Sequence, residues 1–120
     1  MRYMIIVKAT PDSEKGVFPP HMAELMEAMD VFHKELAQAG VLLDAAGLKP
    51  SSQGWRIRYG GKERKVIDGP FAEAKEMVGG FFLIDCKSRA EAVAIAQACP
   101  AAEWCTVEVR GVGPCYEDTD

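Results

Sequence analysis

Two short runs, Tyr3-Met4-Ile5-Ile6-Val7 and Phe81-Phe82-Leu83-Ile84, are apolar at every position. Their length and their β-branched and aromatic content mark them as strands. A strand whose sheet has one wet face alternates apolar with polar residues. Neither run alternates, so the sheet that holds them is expected to be covered on both faces. That requirement constrains the fold more than any other feature of the chain.

The segments around these runs supply the rest of the sheet. Residues 2–8 read as the first strand, and 10–20, with Pro11, Gly16, Pro19 and Pro20, as a loop. From Pro20 a helical period takes over, with Met22, Leu25, Met26, Met29, Phe32 and Leu36 on one stripe, and Gly40 ends it. Val41 to Leu48 is the next strand. Trp55, Ile57 and Tyr59 alternate with Arg56 and Arg58, Gly60-Gly61 makes a turn, and Lys62 to Ile67 returns, which reads as a hairpin. Pro70 is placed to start a short helix running through Glu76. Met77 to Cys86 is a strand bent at Gly79-Gly80. Ser88 and Glu91 form a capping box for a helix that ends near Pro100. Trp104 to Arg110 is the last strand, and 116–120 a polar tail.

The order is β-α-β, a hairpin, then β-α-β. This is an α+β, ferredoxin-like βαββαβ pattern with an added hairpin. Its two helices cover one face of the sheet, and the simplest cover for the other is a second copy, so a homodimer is expected.

Composition removes several classes of function. The chain of 120 residues fits one domain, 1–120, with 48% hydrophobic residues to build a core. A net charge of −4 argues against nonspecific nucleic-acid binding. No apolar run approaches the roughly 20 residues of a membrane helix. The start, Met1 to Lys8, has too short an apolar part for an export signal, so a cytoplasmic location is expected. Cys86, Cys99, Cys105 and Cys115 include no closely spaced pair and read as reduced, structural thiols. His21 and His33 are the only histidines, too few for a histidine-rich metal site. No metal and no cofactor are expected.

The segment Asp68-Gly69-Pro70-Phe71-Ala72-Glu73-Ala74-Lys75-Glu76 resembles the signature of the DGPF branch of the YCII-related family. Met1 to Met4, Ala39 to Leu43, Gly47 to Ser52 and Val107 to Arg110 resemble it too, in order, across nearly the whole chain. Lys49 departs from the pattern, because many relatives carry a histidine in the Gly-Leu-x-Pro segment. The resemblance implies a dimeric α+β barrel, in agreement with the sheet argument. It also implies small enzymes with a His–Asp pair in a cleft. In the wider superfamily it points to isomerases, lyases and monooxygenases acting on ring compounds, and to ligand-binding regulators. Relatives are often encoded beside extracytoplasmic-function sigma factors, which implies a possible regulatory partner.

By that resemblance His21, at the start of the first long helix, and Asp68 form a catalytic dyad. A carboxylate on the imidazole N–H would fix the tautomer and let the other nitrogen move a proton beside a carbonyl. His33, Gly69, Pro70 and Phe71 are the candidate substrate contacts. Each has a plainer alternative. Asp68 is placed to cap a helix at Phe71 and Ala72, and His21 to be an exposed helix-start residue. His33 falls in the apolar stripe, as a hydrogen-bonded core residue, or as a cleft residue if a cleft opens there. Met22, Met26 and Met29 read as ordinary core, and Cys105 as an unactivated thiol. Arg56, Arg58, Lys62, Arg64 and Lys65 form either a partner-binding edge or a charged edge that resists aggregation. The function expected is cofactor-independent acid–base chemistry on a small ring or carbonyl compound. The alternative is a noncatalytic ligand-binding or regulatory dimer linked to a sigma factor.

Overall fold

A computed structural model describes residues 1–72 and 76–114. In chain order the elements are β1 (Arg2–Lys8), α1 (Pro11–Glu14), α2 (Met22–Gln38), β2 (Leu42–Gly47), β3 (Trp55–Gly60), β4 (Glu63–Asp68), β5 (Val78–Asp85), α3 (Arg89–Gln97) and β6 (Val107–Gly111). Strands β2, β5, β1 and β6 lie side by side in that order, each antiparallel to its neighbour. This is the ferredoxin-like order, and β3 and β4 form a separate two-stranded arm between β2 and β5.

Local chemistry sets the boundaries. Helix α2 ends in a Schellman motif: Val41 N–H donates to the Leu36 carbonyl and Gly40 N–H to that of Ala37, with Gly40 at φ 74°. Ser88 Oγ accepts the Glu91 N–H at 3.2 Å and starts α3. The returning Glu91 carboxylate takes the N–H of Lys87, one residue before the cap. Three expectations are corrected. The 10–20 loop contains α1, closed by a Thr10–Ser13 capping box. The last strand starts at Val107, because a 3₁₀ turn over Pro100–Glu103 claims the backbone up to Trp104. Pro70 and Phe71 are not helical; residues 73–75 of that expected helix, Cys115 and the 116–120 tail lie outside the described residues.

Both long helices pack on one sheet face. The core joins Ile5, Phe82 and Ile84 of the sheet to Phe32 and Leu36 of α2 and Ala92 and Ala96 of α3. Phe32 meets Phe82 edge-on, ring centroids 5.3 Å apart. Period-two alternation sends Met4, Ile6, Phe81 and Leu83 to the other face, where Met4 pairs with Leu83 and Ile6 with Phe81. The apolar content that breaks alternation in the sequence is therefore split between a helix-covered face and an opposite apolar row.

Candidate functional site

The helix-side face of the sheet is built in cross-strand layers. One layer runs Ala45, Phe82, Ile5, Val109 and fills the space beneath α2. The next runs Gly47, Gly80, Val7, Val107. Its two glycines present no side chain to the helix, and the space they leave belongs to a cavity of about 430 Å³. That volume lies in the range of small-molecule sites. Gly80 cannot be exchanged freely, since a Cβ there would stand 3.0 Å from the Ala46 carbonyl oxygen. The register slips between Val7 and Lys8, where Gly79 is the extra residue, and bends β5 at the rim. Leu48 N–H donates to the Gly79 carbonyl at 2.8 Å and carries the chain across this end of the sheet.

Met22, Met26 and Met29 of α2 line the cavity, with Phe82 and Trp104. Met26 is not core, being 48% exposed, while Met29 packs against the core cluster as well. His33 lies on the same wall, its ring centroid 6.3 Å from that of Phe82. It is exposed, and neither ring nitrogen has a hydrogen-bond partner among the described residues. This corrects the expectation of a hydrogen-bonded core histidine: His33 lines the cavity. Asp30 lines the cavity one turn earlier on the same helix. Glu14, Lys8 and Lys49 complete its charged lining.

Two of these charges already have partners. Glu14 accepts the Ser51 N–H at 3.0 Å and, closely, the Ser51 hydroxyl. Lys8 Nζ lies 3.6 Å from Glu108, whose carboxylate also takes the Arg110 Nε–H at 2.7 Å. The Arg110 hydrogen bond, with Lys8 beside it, holds the Glu108 carboxyl below the usual range. His33, Asp30 and Lys49 remain without such partners among the described residues.

The residues expected to form the dyad stand elsewhere. His21 is the exposed N-cap of α2 and makes no side-chain cap bond. Asp68 is exposed at the end of β4, paired with Trp55 in the arm. No hydrogen bond or ion pair joins them, and neither is among the cavity-lining residues. The Asp-Gly-Pro-Phe segment instead staples the arm to the turn at 51–54. Gly69 N–H donates to the Gly54 carbonyl at 3.0 Å, and Phe71 N–H to Ser51 Oγ at 3.0 Å. The Phe71 amide that Asp68 was expected to cap is thereby given to Ser51. The Arg56 guanidinium stacks 3.9 Å above the Phe71 ring. Gly69 is required by contact, since a Cβ would fall 1.7 Å from the Ser51 carbonyl oxygen. Gly69, Pro70 and Phe71 are not among the cavity-lining residues either.

Two thiols, Cys99 and Cys105, are unactivated. Cys105 Sγ–H donates to the Ala101 carbonyl at 3.1 Å, and burial pushes its pKa to about 11. Burial also raises that of Cys99. Among the described residues no group of three or more His, Cys, Asp or Glu gathers as a metal site, and no helix is long and apolar enough to cross a membrane.

The model of the YCII-related domain family matches residues 1–115. An uncharacterised protein of Rhizobium meliloti (strain 1021) is 38% identical over 73 residues, which are 61% of this chain and only 59% of that relative's length. Among solved structures, 5-chloro-2-hydroxyhydroquinone dehydrochlorinase from Burkholderia phenoliruptrix AC1100, in complex with 2,5-dihydroxybenzoquinone, aligns with a TM-score of 0.55. The alignment covers 94% of both chains at 14% identity. At that identity the likeness is one of fold.

Proposed function

This chain belongs to the YCII-related domain family, and we propose that it is a small enzyme doing acid–base chemistry in the cavity between α2 and the sheet. One observation carries the reading: His33, on the cavity wall beside Phe82, has both ring nitrogens unclaimed among the described residues. Histidine is the side chain best suited to exchange protons near neutral pH. An imidazole held on an apolar wall, with no partner among the described residues, is available to a substrate. The substrate class is a compact ring bearing carbonyl or hydroxyl groups. Supporting this are the volume, the Met, Phe and Trp walls, and the quinone bound by the structural neighbour. His33 delivers a proton to the enol carbon of the ring and takes one back from the keto form this gives, and Lys49 faces the oxygen whose charge changes. The reaction needs no oxidant, because one proton is removed for each proton added. A second copy covers the Met4, Ile6, Phe81 and Leu83 row, which makes the protein a homodimer.

The test uses 2,5-dihydroxybenzoquinone as probe. Binding is measured by calorimetry, and exchange of its ring C–H for deuterium by NMR. Wild type is expected to bind saturably and to speed exchange. His33→Gln is expected to bind within threefold of wild type yet lose 10²-fold or more of the exchange, the scale of general acid–base catalysis. Exchange unchanged by His33→Gln refutes the catalytic role and leaves a ligand-binding protein. Absence of saturable binding refutes the substrate class.

A further inference from the structure

The β3–β4 arm has two unlike faces. Directly paired residues share a side, so Trp55, Ile57, Tyr59 and Val66 stand on one face together with Arg64 and Asp68, while Arg56, Arg58, Lys65 and Ile67 stand on the other. All residues of β3 and β4 are exposed except Ile67. Exposure of the apolar four runs from 61% to 73%. A lone two-stranded hairpin is marginal in water, and a cluster of large apolar side chains this exposed marks an interaction surface.

Charge indicates what lies against it. Residues 55–68 hold five of the 14 basic residues and two of the 18 acidic ones, so the rest of the chain holds nine basic against 16 acidic. Arm against arm sets like charges together; arm against body sets opposite ones together. The most acidic element is α2, with Glu24, Glu27, Asp30 and Glu35 exposed against Lys34. None of those four acids has an ion-pair partner among the described residues. The same helix exposes Met26 and Val31 to about half of their surface. The arm's net positive charge and apolar face thus meet an acidic helix surface that Met26 and Val31 flank.

We propose that the arm lies on α2 of a second copy, in a reciprocal exchange. The four apolar side chains offer on the order of 450 Å². Arm and receiving helix together then approach the ~800 Å² that each partner gives a standard interface. Because Met26, Asp30 and His33 lie on both α2 and the cavity wall, the partner's arm borders the cavity mouth. The inference stands on the arm and α2 alone, and does not depend on the chemistry proposed for His33.

Molar mass by light scattering on a sizing column at about 50 µM tests it. The Trp55→Ser/Tyr59→Ser variant removes exposed side chains only, so its circular dichroism should match wild type while its assembled mass falls by half or more. Glu24→Lys/Glu27→Lys should do the same, and adding Lys62→Glu/Arg64→Glu to it should restore the mass. A monomeric wild type, or an arm variant with wild-type mass, overturns the proposal. An arm variant that dissociates while the α2 reversal does not overturns the choice of α2.

Discussion

Gly69→Ala puts the stapled arm to the sharpest test. The added Cβ would lie 1.7 Å from the Ser51 carbonyl oxygen and 2.6 Å from its carbon, where real contacts essentially never fall below 3.0 Å. One backbone must retreat by more than an ångström, since neither contact is with a flexible side chain. The retreat strains the Gly69 N–H bond to Gly54 and the Phe71 N–H bond to Ser51 Oγ. Overpacking costs about 1–3 kcal/mol, and each hydrogen bond contributes about 1 kcal/mol net. If the root stays docked, the cost is about 3–5 kcal/mol. The arm has an escape, because it can leave the 51–54 turn as a local opening. The loss of global stability is then capped at the free energy of that opening. Amide hydrogen exchange separates the two responses. Protection at residues 69 and 71 should fall at least 30-fold, equivalent to about 2 kcal/mol, while protection at Ile5 and Ile84 falls less. Ser51→Ala removes the same anchor without a clash, so the double variant should lose less than the sum of the singles. Unchanged protection at 69 and 71, with a urea midpoint equal to wild type, would show that the segment does not hold the arm.

Three further outcomes follow from the packing. Ile84→Ala, at a side chain with no exposed surface beside Phe82, should cost about 3–4 kcal/mol in urea unfolding with the slope unchanged. Gly47→Leu adds a side chain where a Cβ meets nothing within 4 Å; it should fold normally and abolish the calorimetric signal with 2,5-dihydroxybenzoquinone. Cys105 should resist iodoacetamide in the native state. Its folded pKa of about 11 stands above the ordinary thiol value of 9.0, so the unfolded chain releases its proton first as pH rises. Stability from this group is therefore full below pH 9 and lost toward pH 11. A Cys105→Ala variant with an equally steep alkaline decline would refute that assignment.

The fold was legible because each element carries its own local signal. The unbroken apolar runs, the stripe ending at Gly40 and the Ser88 cap all act within a few residues, and the ferredoxin-like order follows from their succession. The staple was less legible. Asp68-Gly69-Pro70-Phe71 has the look of a helix start, because Pro70 fits a first helical turn and Asp68 an N-cap. What the local pattern omits is Ser51, 20 residues away, which takes the Phe71 amide and whose carbonyl forbids a side chain at Gly69. Glu14 was hidden in the same way, since its role is to hold Ser51.

The cavity shows the limit of periodicity. A 3.6-residue stripe reports which face of α2 turns toward the sheet; it carries no information about the volume waiting there. Phe32 and Leu36 fall over the Phe82 and Ile5 layer and become core. Met22, Met26 and Met29 lie on the same stripe and reach the end where Gly47 pairs with Gly80. Those glycines are 33 residues apart, and only the β2–β5 register sets them side by side. Once they are paired, that end of the layer offers no side chain to the helix above, and His33 borders the cavity. The apolar pattern that argued for a buried, satisfied histidine is thus what leaves its nitrogens without a partner among the described residues. The Gly47→Leu and His33→Gln variants separate the two parts of that argument: the first removes the space and keeps the imidazole, and the second does the reverse.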